Sequence, residues 1–266
     1  MSYVALYRSY RPKNFTEVAG QKTIVQTLQN AIKYDKIAHA YLFSGPRGTG
    51  KTSIAKIMAK AVNCLNPTEG NPCGVCEICQ TIDANEVSDV VEIDAASNNG
   101  VDEIRDLRDK VKYAPSLGKY KVYIIDEVHM LTTGAFNALL KTLEEPPHHV
   151  IFILATTESH KIPATILSRC QRYDFRNIEE ADMIEKLNEI IVKEKIEISP
   201  DAIKAIAIHA EGGMRDALSL LDQVISYNTG SITEDDVYQV SGGLSKTAIK
   251  NLLQAIIDKE PQKAMK

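Results

Sequence analysis

Apolar positions along the chain follow two different rhythms, and one gives way to the other near residue 178. Before that point, short apolar runs alternate with stretches of helical spacing. The runs are Ala40-Tyr41-Leu42-Phe43-Ser44, Asp89-Val90-Val91-Glu92-Ile93, Val122 to Ile125 and Val150-Ile151-Phe152-Ile153-Leu154. Runs of this length, rich in β-branched and aromatic residues, predict strands buried on both faces. Between them lie Thr52 to Val62 (with Ile54, Ile57, Met58 and Ala61), Val101 to Val111 and Ala135 to Leu143. Their apolar residues recur every three or four positions, which predicts amphipathic helices. Strand and helix in alternation imply a parallel sheet covered by helices on both faces. From about Glu179 the rhythm is helical throughout: Glu180 to Glu194, Pro200 to Ala210, Met214 to Tyr227 and Thr233 to Val240. Pro200, behind Ser199, suits a first helical turn. The expected organisation is an α/β unit over 1–178, a small all-helical unit over 179–243 and the start of a third unit over 244–266. An amphipathic pattern from Leu244 to Ile257 opens that third unit.

Candidate chemistry sits where the strands end. The first run leads into Gly45-Pro46-Arg47-Gly48-Thr49-Gly50-Lys51-Thr52, a G-x-x-x-x-G-K-T loop, and a helix pattern follows. Strand, glycine-rich loop and helix in this order make a phosphate-binding loop. Its glycines let backbone N–H groups face an anion, and the helix N-terminus adds partial positive charge. Lys51 is expected to reach the β- and γ-phosphates, and the Thr52 hydroxyl to ligate Mg²⁺. A second strand ends in Asp126 and Glu127. Downstream of a phosphate loop, Asp126 reads as the carboxylate that holds Mg²⁺ through water. Glu127 reads as the group that orients or deprotonates an attacking water. The pair points to hydrolysis rather than binding alone; the plainer alternative is an acidic strand end facing solvent.

Cys64-x8-Cys73-x2-Cys76-x2-Cys79 offers four thiolates, enough for a closed tetrahedral metal site. Pro72 and Gly74 suit the tight turn such a knuckle needs. The sequence shows no signal peptide and no transmembrane run, which predicts a cytosolic chain and disfavours disulfides. The spacing also differs from that of ferredoxin clusters. Zinc is the favoured metal, in a structural role, since protein fills every position. Cys170 stands apart and reads as a small buried side chain. With 266 residues, 44% apolar and 25% charged, the chain has room for two compact units. Its net charge of −4 gives no global pull toward nucleic acid, so any DNA contact must use a local patch.

Together these residues resemble those of the AAA+ clamp-loader ATPases, and more narrowly the gamma/tau family of bacterial DNA polymerase III. The resemblance rests on the phosphate loop and the cysteines, and on Tyr10-Arg11-Pro12-Lys13-Asn14-Phe15 near the start. It rests also on Asp126-Glu127-Val128-His129-Met130, the run from Asn137 to Pro147, and Ser168-Arg169-Cys170. It spans essentially the whole chain. It implies an α/β AAA+ P-loop NTPase domain with a zinc-binding insertion at 64–79, a helical lid domain and the start of a helical collar. The implied cofactors are ATP, Mg²⁺ and structural Zn²⁺. The implied activity is ATP hydrolysis in loading a sliding clamp onto primer–template DNA, with no polymerase active site in this chain. Implied partners are other clamp-loader subunits in a hetero-oligomeric ring or spiral, the clamp and the DNA, at a cytoplasmic, nucleoid-associated replisome and not at a membrane.

The resemblance also implies roles at matching positions. Arg169 is similar to an arginine finger acting in trans on a neighbour's γ-phosphate. Thr157, in preference to Thr156, resembles the first sensor, which polarises water. Arg215, in Gly212-Gly213-Met214-Arg215-Asp216, resembles the second sensor, reaching the nucleotide in cis. A helix N-terminus is a poor place for a cation unless an anion lies nearby. Tyr7, Arg11, Pro12 and Val18 match the adenine pocket. Ser97-Asn98-Asn99-Gly100, Arg105 and Lys141 are candidates for DNA contact, with a solvated helix face as the alternative. Two rivals stay open. One is a non-hydrolysing scaffold subunit, disfavoured by the intact Lys51, Thr52, Asp126 and Glu127. The other is a different AAA+ DNA machine, a helicase loader or branch-migration motor, disfavoured by Ser168-Arg169-Cys170 and the cysteines.

Overall fold

All four apolar runs form strands, and a fifth, largely polar strand joins them. The computed structural model describes residues 3–84, 89–228 and 230–243, with 254, 257 and 258. In chain order the first elements are α1 (Leu6–Ser9), α2 (Lys22–Lys33), β1 (Ala40–Ser44), α3 (Lys51–Asn63) and α4 (Glu77–Asp83). Next come β2 (Val90–Asp94), α5 (Val101–Val111), β3 (Lys121–Asp126), α6 (Thr133–Glu144), β4 (Val150–Thr156), α7 (Ala164–Leu167) and β5 (Gln171–Asp174). After these follow α8 (Glu180–Glu194), α9 (Pro200–His209), α10 (Met214–Tyr227) and α11 (Glu234–Ser241).

The sheet runs β2-β3-β4-β1-β5, with every pairing parallel. β1 and β4 are buried along their whole length, as central strands of a sheet covered on both faces must be. Alternate side chains feed two cores. Tyr41, Phe43, Ile124 and Ile153 pack with Leu28 of α2 and with Ile54 and Met58 of α3. Leu42, Tyr123, Ile125 and Phe152 pack with Ile104 and Leu107 of α5 and with Phe136 and Leu139 of α6. Across β3 and β4, the Tyr123 and Phe152 rings stack at 5.5 Å. β5 escapes the hydrophobic pattern because it is an edge strand in which Tyr173 alone is buried.

Two compact units result, each with its own packing. The α/β unit covers residues 11–177. The helical unit takes the described residues from 178 onward together with residues 3–10. The chain start therefore departs from an α/β unit reckoned from residue 1. The reason is local: Leu6 is buried, its N–H donates to the Asp222 carboxylate at 3.2 Å, and the Tyr3 hydroxyl bonds the same carboxylate. Within this unit, the helix ends match the expected ones to within one residue. Ser199 caps α9 by accepting the Ala202 N–H ahead of Pro200, and Thr233 and Asp236 form a capping box at α11. The helix expected over Leu244 to Ile257, and the collar region 244–266 in general, lie outside the described residues except for 254, 257 and 258.

Candidate functional site

The carboxyl ends of β1, β3 and β4 lie side by side, because β4 sits between the other two and the register aligns Ser44 with Thr156. Ligands in open parallel sheets bind beyond such ends. The loop after β1 has a backbone that only glycine tolerates at its entry. Gly45 has φ +143°, and a Cβ there would lie 2.3 Å from the Phe175 carbonyl oxygen. Gly50 has φ +97° and turns the chain into α3. Lys51 opens that helix and is only 6% exposed. Its ammonium donates to the carbonyls of Gly45 (2.8 Å) and Pro46 (2.6 Å). Burial lowers the Lys51 pKa from its ordinary value, against the opposing pull of Glu127 and Asp126. Within the loop, the Thr49 hydroxyl bonds the Pro46 carbonyl at 2.9 Å.

Thr52, the next residue, donates its hydroxyl to Asp126 Oδ2 at 2.7 Å, and the other Asp126 oxygen accepts the Glu127 N–H at 2.9 Å. The phosphate loop and the acidic strand end are thus joined directly. Glu127 takes a left-handed backbone, φ +47°, a strained conformation for such a residue. Its carboxylate accepts the Thr157 hydroxyl at 3.1 Å. Thr156 points elsewhere: fully buried, its hydroxyl meets His129 Nδ1 and the Glu158 N–H, each at 3.0 Å. Of the two threonines, Thr157 is the one that touches Glu127.

Arg169 lies in the short link between α7 and β5. Its guanidinium donates to the Thr165 carbonyl (2.7 Å), the Ser168 hydroxyl (3.2 Å) and Glu144 Oε1 at the end of α6 (2.7 Å). In the helical unit, Arg215 lies in the first turn of α10 with its guanidinium 5.2 Å from the centre of the Tyr7 ring. The candidate adenine residues divide between the two units. Tyr7 belongs to the helical one, whereas Arg11, Pro12 and Val18 belong to the α/β one. There Arg11 Nε donates to Ser53 of α3 at 3.2 Å, Pro12 is half-buried, and Val18 packs on the core.

The candidate DNA segment Ser97 to Gly100 is an ordered turn tied to Asp94, which accepts the Ala96 N–H at 2.9 Å and the Ser97 hydroxyl at 3.1 Å. Arg105 pairs with Asp102 at 2.9 Å, and Lys141 is exposed on α6. On α5, Asp102, Glu103, Asp106 and Asp109 outnumber Arg105, Arg108 and Lys110, so the helix as a whole is not a basic patch.

The four cysteines converge. Their sulfurs all lie within 4.8 Å of one another, with Cys64 to Cys76 and Cys73 to Cys79 each at 4.0 Å. A tetrahedron with zinc–sulfur bonds of about 2.3 Å has edges of about 3.8 Å, so the cluster fits zinc. Backbone N–H groups face the sulfurs: Cys73 N–H donates to Cys64 at 3.2 Å and Cys76 N–H to Cys73 at 3.3 Å. The N–H groups of Val75 and Cys76 hold the Cys73 thiol down to about 6, whereas burial raises the thiols of Cys64 and Cys79. The module is pinned to α3 by buried Lys60, whose ammonium donates to Asp83 of α4 at 2.7 Å. Cys170 is not in the cluster; it packs on the second core, and burial pushes its thiol up to about 11.

Family models match two stretches of the chain. One describes the DNA polymerase III delta subunit and covers residues 20–179; the other describes the ATPase lid domain of a DNA polymerase III clamp loader subunit and covers 182–230. DNA polymerase III subunit tau of Bacillus subtilis (strain 168) is 57% identical over 265 residues, covering 100% of this chain and 47% of that protein. Subunit tau of Escherichia coli (strain K12) is 45% identical, covering 100% of this chain and 41% of its own. The chain belongs to the DNA polymerase III tau/gamma family. It spans about half the length of these tau relatives, and 73% of the subunit gamma of Buchnera aphidicola subsp. Acyrthosiphon pisum, which is 43% identical.

Among solved structures, the Thermotoga maritima RuvB Holliday junction branch migration motor matches this tau/gamma chain with a TM-score of 0.64. The match covers 93% of this chain and 79% of that one, at 21% identity. That likeness shows the AAA+ fold. Two groups in the tau/gamma chain were given no role by motif reading. His129 and Glu158 stand next to the acidic strand end, 3.4 Å apart at Nε2 and Oε1. Asp89 is buried before β2 and accepts Ser116 N–H and hydroxyl, Leu117 N–H and Gly118 N–H. Burial acts to raise the Asp89 pKa, but these bonds outweigh it and leave the carboxyl below its ordinary value. An acid opening an apolar run was the available signal.

Proposed function

We propose that this chain is the ATP-hydrolysing motor part of a bacterial DNA polymerase III clamp loader. The observation that carries the reading is the joined site of Lys51, Thr52, Asp126 and Glu127 at the strand ends of an AAA+ fold. Loop N–H groups and Lys51 bind the phosphates of ATP, with Lys51 exchanging its two carbonyl partners for phosphate oxygens. Thr52 Oγ1 and Asp126 form an all-oxygen donor set, 2.7 Å apart, of the kind Mg²⁺ takes. When bound, the ion neutralises charge on the β- and γ-phosphates. Glu127 orients the attacking water and accepts its proton, and Thr157 fixes the Glu127 carboxylate. Arg169 acts on a neighbouring subunit's nucleotide and Arg215 on the chain's own. ATP binding opens the sliding clamp, and hydrolysis, triggered on primer–template DNA, releases it closed. The setting is the cytoplasmic replisome; among the described residues, no helix is long and apolar enough to cross a membrane.

The test is ATP turnover by this chain combined with its partner subunits, clamp and primed DNA. Turnover should rise when clamp and DNA are both present; an unstimulated complex would favour the scaffold reading instead. Lys51→Ala should weaken ATP binding. A charged hydrogen-bond partner contributes about 2–3 kcal/mol, or roughly 30- to 150-fold in Kd, readable by titration calorimetry. A stable affinity within error of the unmodified chain would remove Lys51 from the site.

The cysteine cluster carries no open position, so its proposed role is structural. Metal analysis should return zinc in equimolar amount, and a strong chelator at elevated temperature should release it. Loss of the metal should lower the unfolding midpoint by several degrees, since each kcal/mol shifts a protein of this size by roughly 2–4 °C. A metal-free chain with an unchanged midpoint would refute the site.

A further inference from the structure

His129 sits in the site without a part in the chemistry described above. It follows Glu127 by two residues on the 3-10 turn Val128–Met130, and its side chain is 7% exposed. Nδ1 lies 3.0 Å from the Thr156 hydroxyl and 3.4 Å from Glu127 Oε2; Nε2 lies 3.4 Å from Glu158 Oε1. The imidazole therefore stands between two carboxylates, one following β3 and one following β4. Thr156 accepts the Glu158 N–H, so its own hydroxyl proton is free to be donated to Nδ1. With Nε2–H facing Glu158, that arrangement satisfies a neutral ring; with a proton on Nδ1, the ring donates to Thr156 or Glu127 instead. With its proton on Nε2 the ring holds Glu158 and packs its Nδ1 edge against the Glu127 carboxylate; with protons on both nitrogens it donates toward the carboxylates on both sides.

Glu158 is itself engaged. It accepts the Lys161 ammonium at 2.7 Å, and that pair holds its carboxyl below the ordinary value. The segment continues through α7 to Arg169. A histidine that served only to fill the core would not need carboxylates at both nitrogens, one of them on the strained Glu127.

We propose that His129 is a positioning residue that fixes the Glu127 carboxylate for catalysis and ties it, through Glu158, to the segment leading to Arg169. This rests on the reading of Glu127 as the group that orients the attacking water. His129 acts through Glu127 and touches no reacting atom.

The test uses the full chain assembled with its partner subunits, clamp and primed DNA, and reads single-turnover ATP hydrolysis alongside ATP affinity. His129→Ala should lower the rate about 10- to 100-fold, the loss expected when a catalytic group is misplaced by about 1 Å, with ATP affinity preserved. His129→Asn places an amide near the Nδ1 position and should recover most of the rate; His129→Gln reaches the Nε2 position and should not. In a Glu127→Gln background, His129→Ala should change the rate by less than about two-fold, as residues acting through one another require. Losses that multiply across the two sites would overturn the proposal, as would an unchanged rate in His129→Ala. Should the alanine variant fail to fold, equal rates in the Asn and Gln variants would overturn it as well. Absence of turnover in the unmodified complex would overturn the ATPase reading itself, whereas turnover insensitive to His129 would overturn the positioning role alone.

Discussion

Arg169→Ala is expected to leave ATP binding by the isolated chain intact and to cut hydrolysis in the assembled complex by about 10³–10⁵-fold, the range by which arginine fingers accelerate phosphoryl transfer. The reason lies in what the guanidinium offers. It has five N–H donors in a rigid fork, and three of its bonds go to Thr165, Ser168 and Glu144, which hold the group in one place. Donors remain for phosphate oxygens whose charge grows in the transition state. The Glu144 pair is part-exposed, so it contributes at most about 1 kcal/mol to folding, and the variant should unfold at nearly the same temperature. Arg169→Lys keeps the charge but not the fork, and should recover only a small part of the rate. The measurement is turnover with clamp and primed DNA, with ATP affinity determined on the same preparation. Unchanged turnover in the complex would exclude the finger role; weakened ATP binding in the isolated chain would mean that Arg169 acts in cis.

Some of this architecture is legible because one physical requirement dominates the residue. β1 and β4 must be apolar on both faces, so they appear as unbroken runs. Gly45 cannot carry a Cβ against the Phe175 carbonyl, so the loop announces itself in glycine. Cysteines at short, knuckle-like spacing are the mark of a metal site, and the four sulfurs do meet. Elsewhere the deciding partner is distant. β5 is a strand because β1 offers it an edge, and Gln171-Arg172-Tyr173-Asp174 shows only one inward side chain. The one-turn helix α1 packs with α10 through Leu6 and Asp222, more than two hundred residues away in sequence, so no local rhythm assigns it to the helical unit. Thr156 and Thr157 are chemically equivalent in the sequence. Adjacent residues leaving a strand face opposite ways, and only the fold sends one hydroxyl to Glu127 and the other to His129. His129 itself lies inside a recognised motif, yet Thr156 at Nδ1 and Glu158 at Nε2 come from the end of another strand.

Glu127→Gln should slow single-turnover hydrolysis by about 10²–10⁴-fold, the span typical of removing a general base, while ATP still binds. The substitution isolates the proton-accepting role because little else changes. The amide has nearly the carboxylate's shape, and its oxygen can still accept the Thr157 hydroxyl that now bonds Oε2 at 3.1 Å. The left-handed backbone at φ +47° strains either residue alike. The bond to Asp126 comes from the main-chain N–H of residue 127, so Asp126, the proposed Mg²⁺ ligand, keeps its partner and its link to Thr52. What disappears is the carboxylate that, on the proposed reading, accepts a proton from the attacking water. A complex carrying this variant should therefore bind ATP, open the clamp and engage DNA, then stall before release. Clamp retained on the loader, followed by fluorescence alongside phosphate release, reads that stall directly. It separates this variant from Lys51→Ala, which should fail at the earlier step of binding. Turnover within about tenfold of the unmodified complex would mean that water is activated by another group.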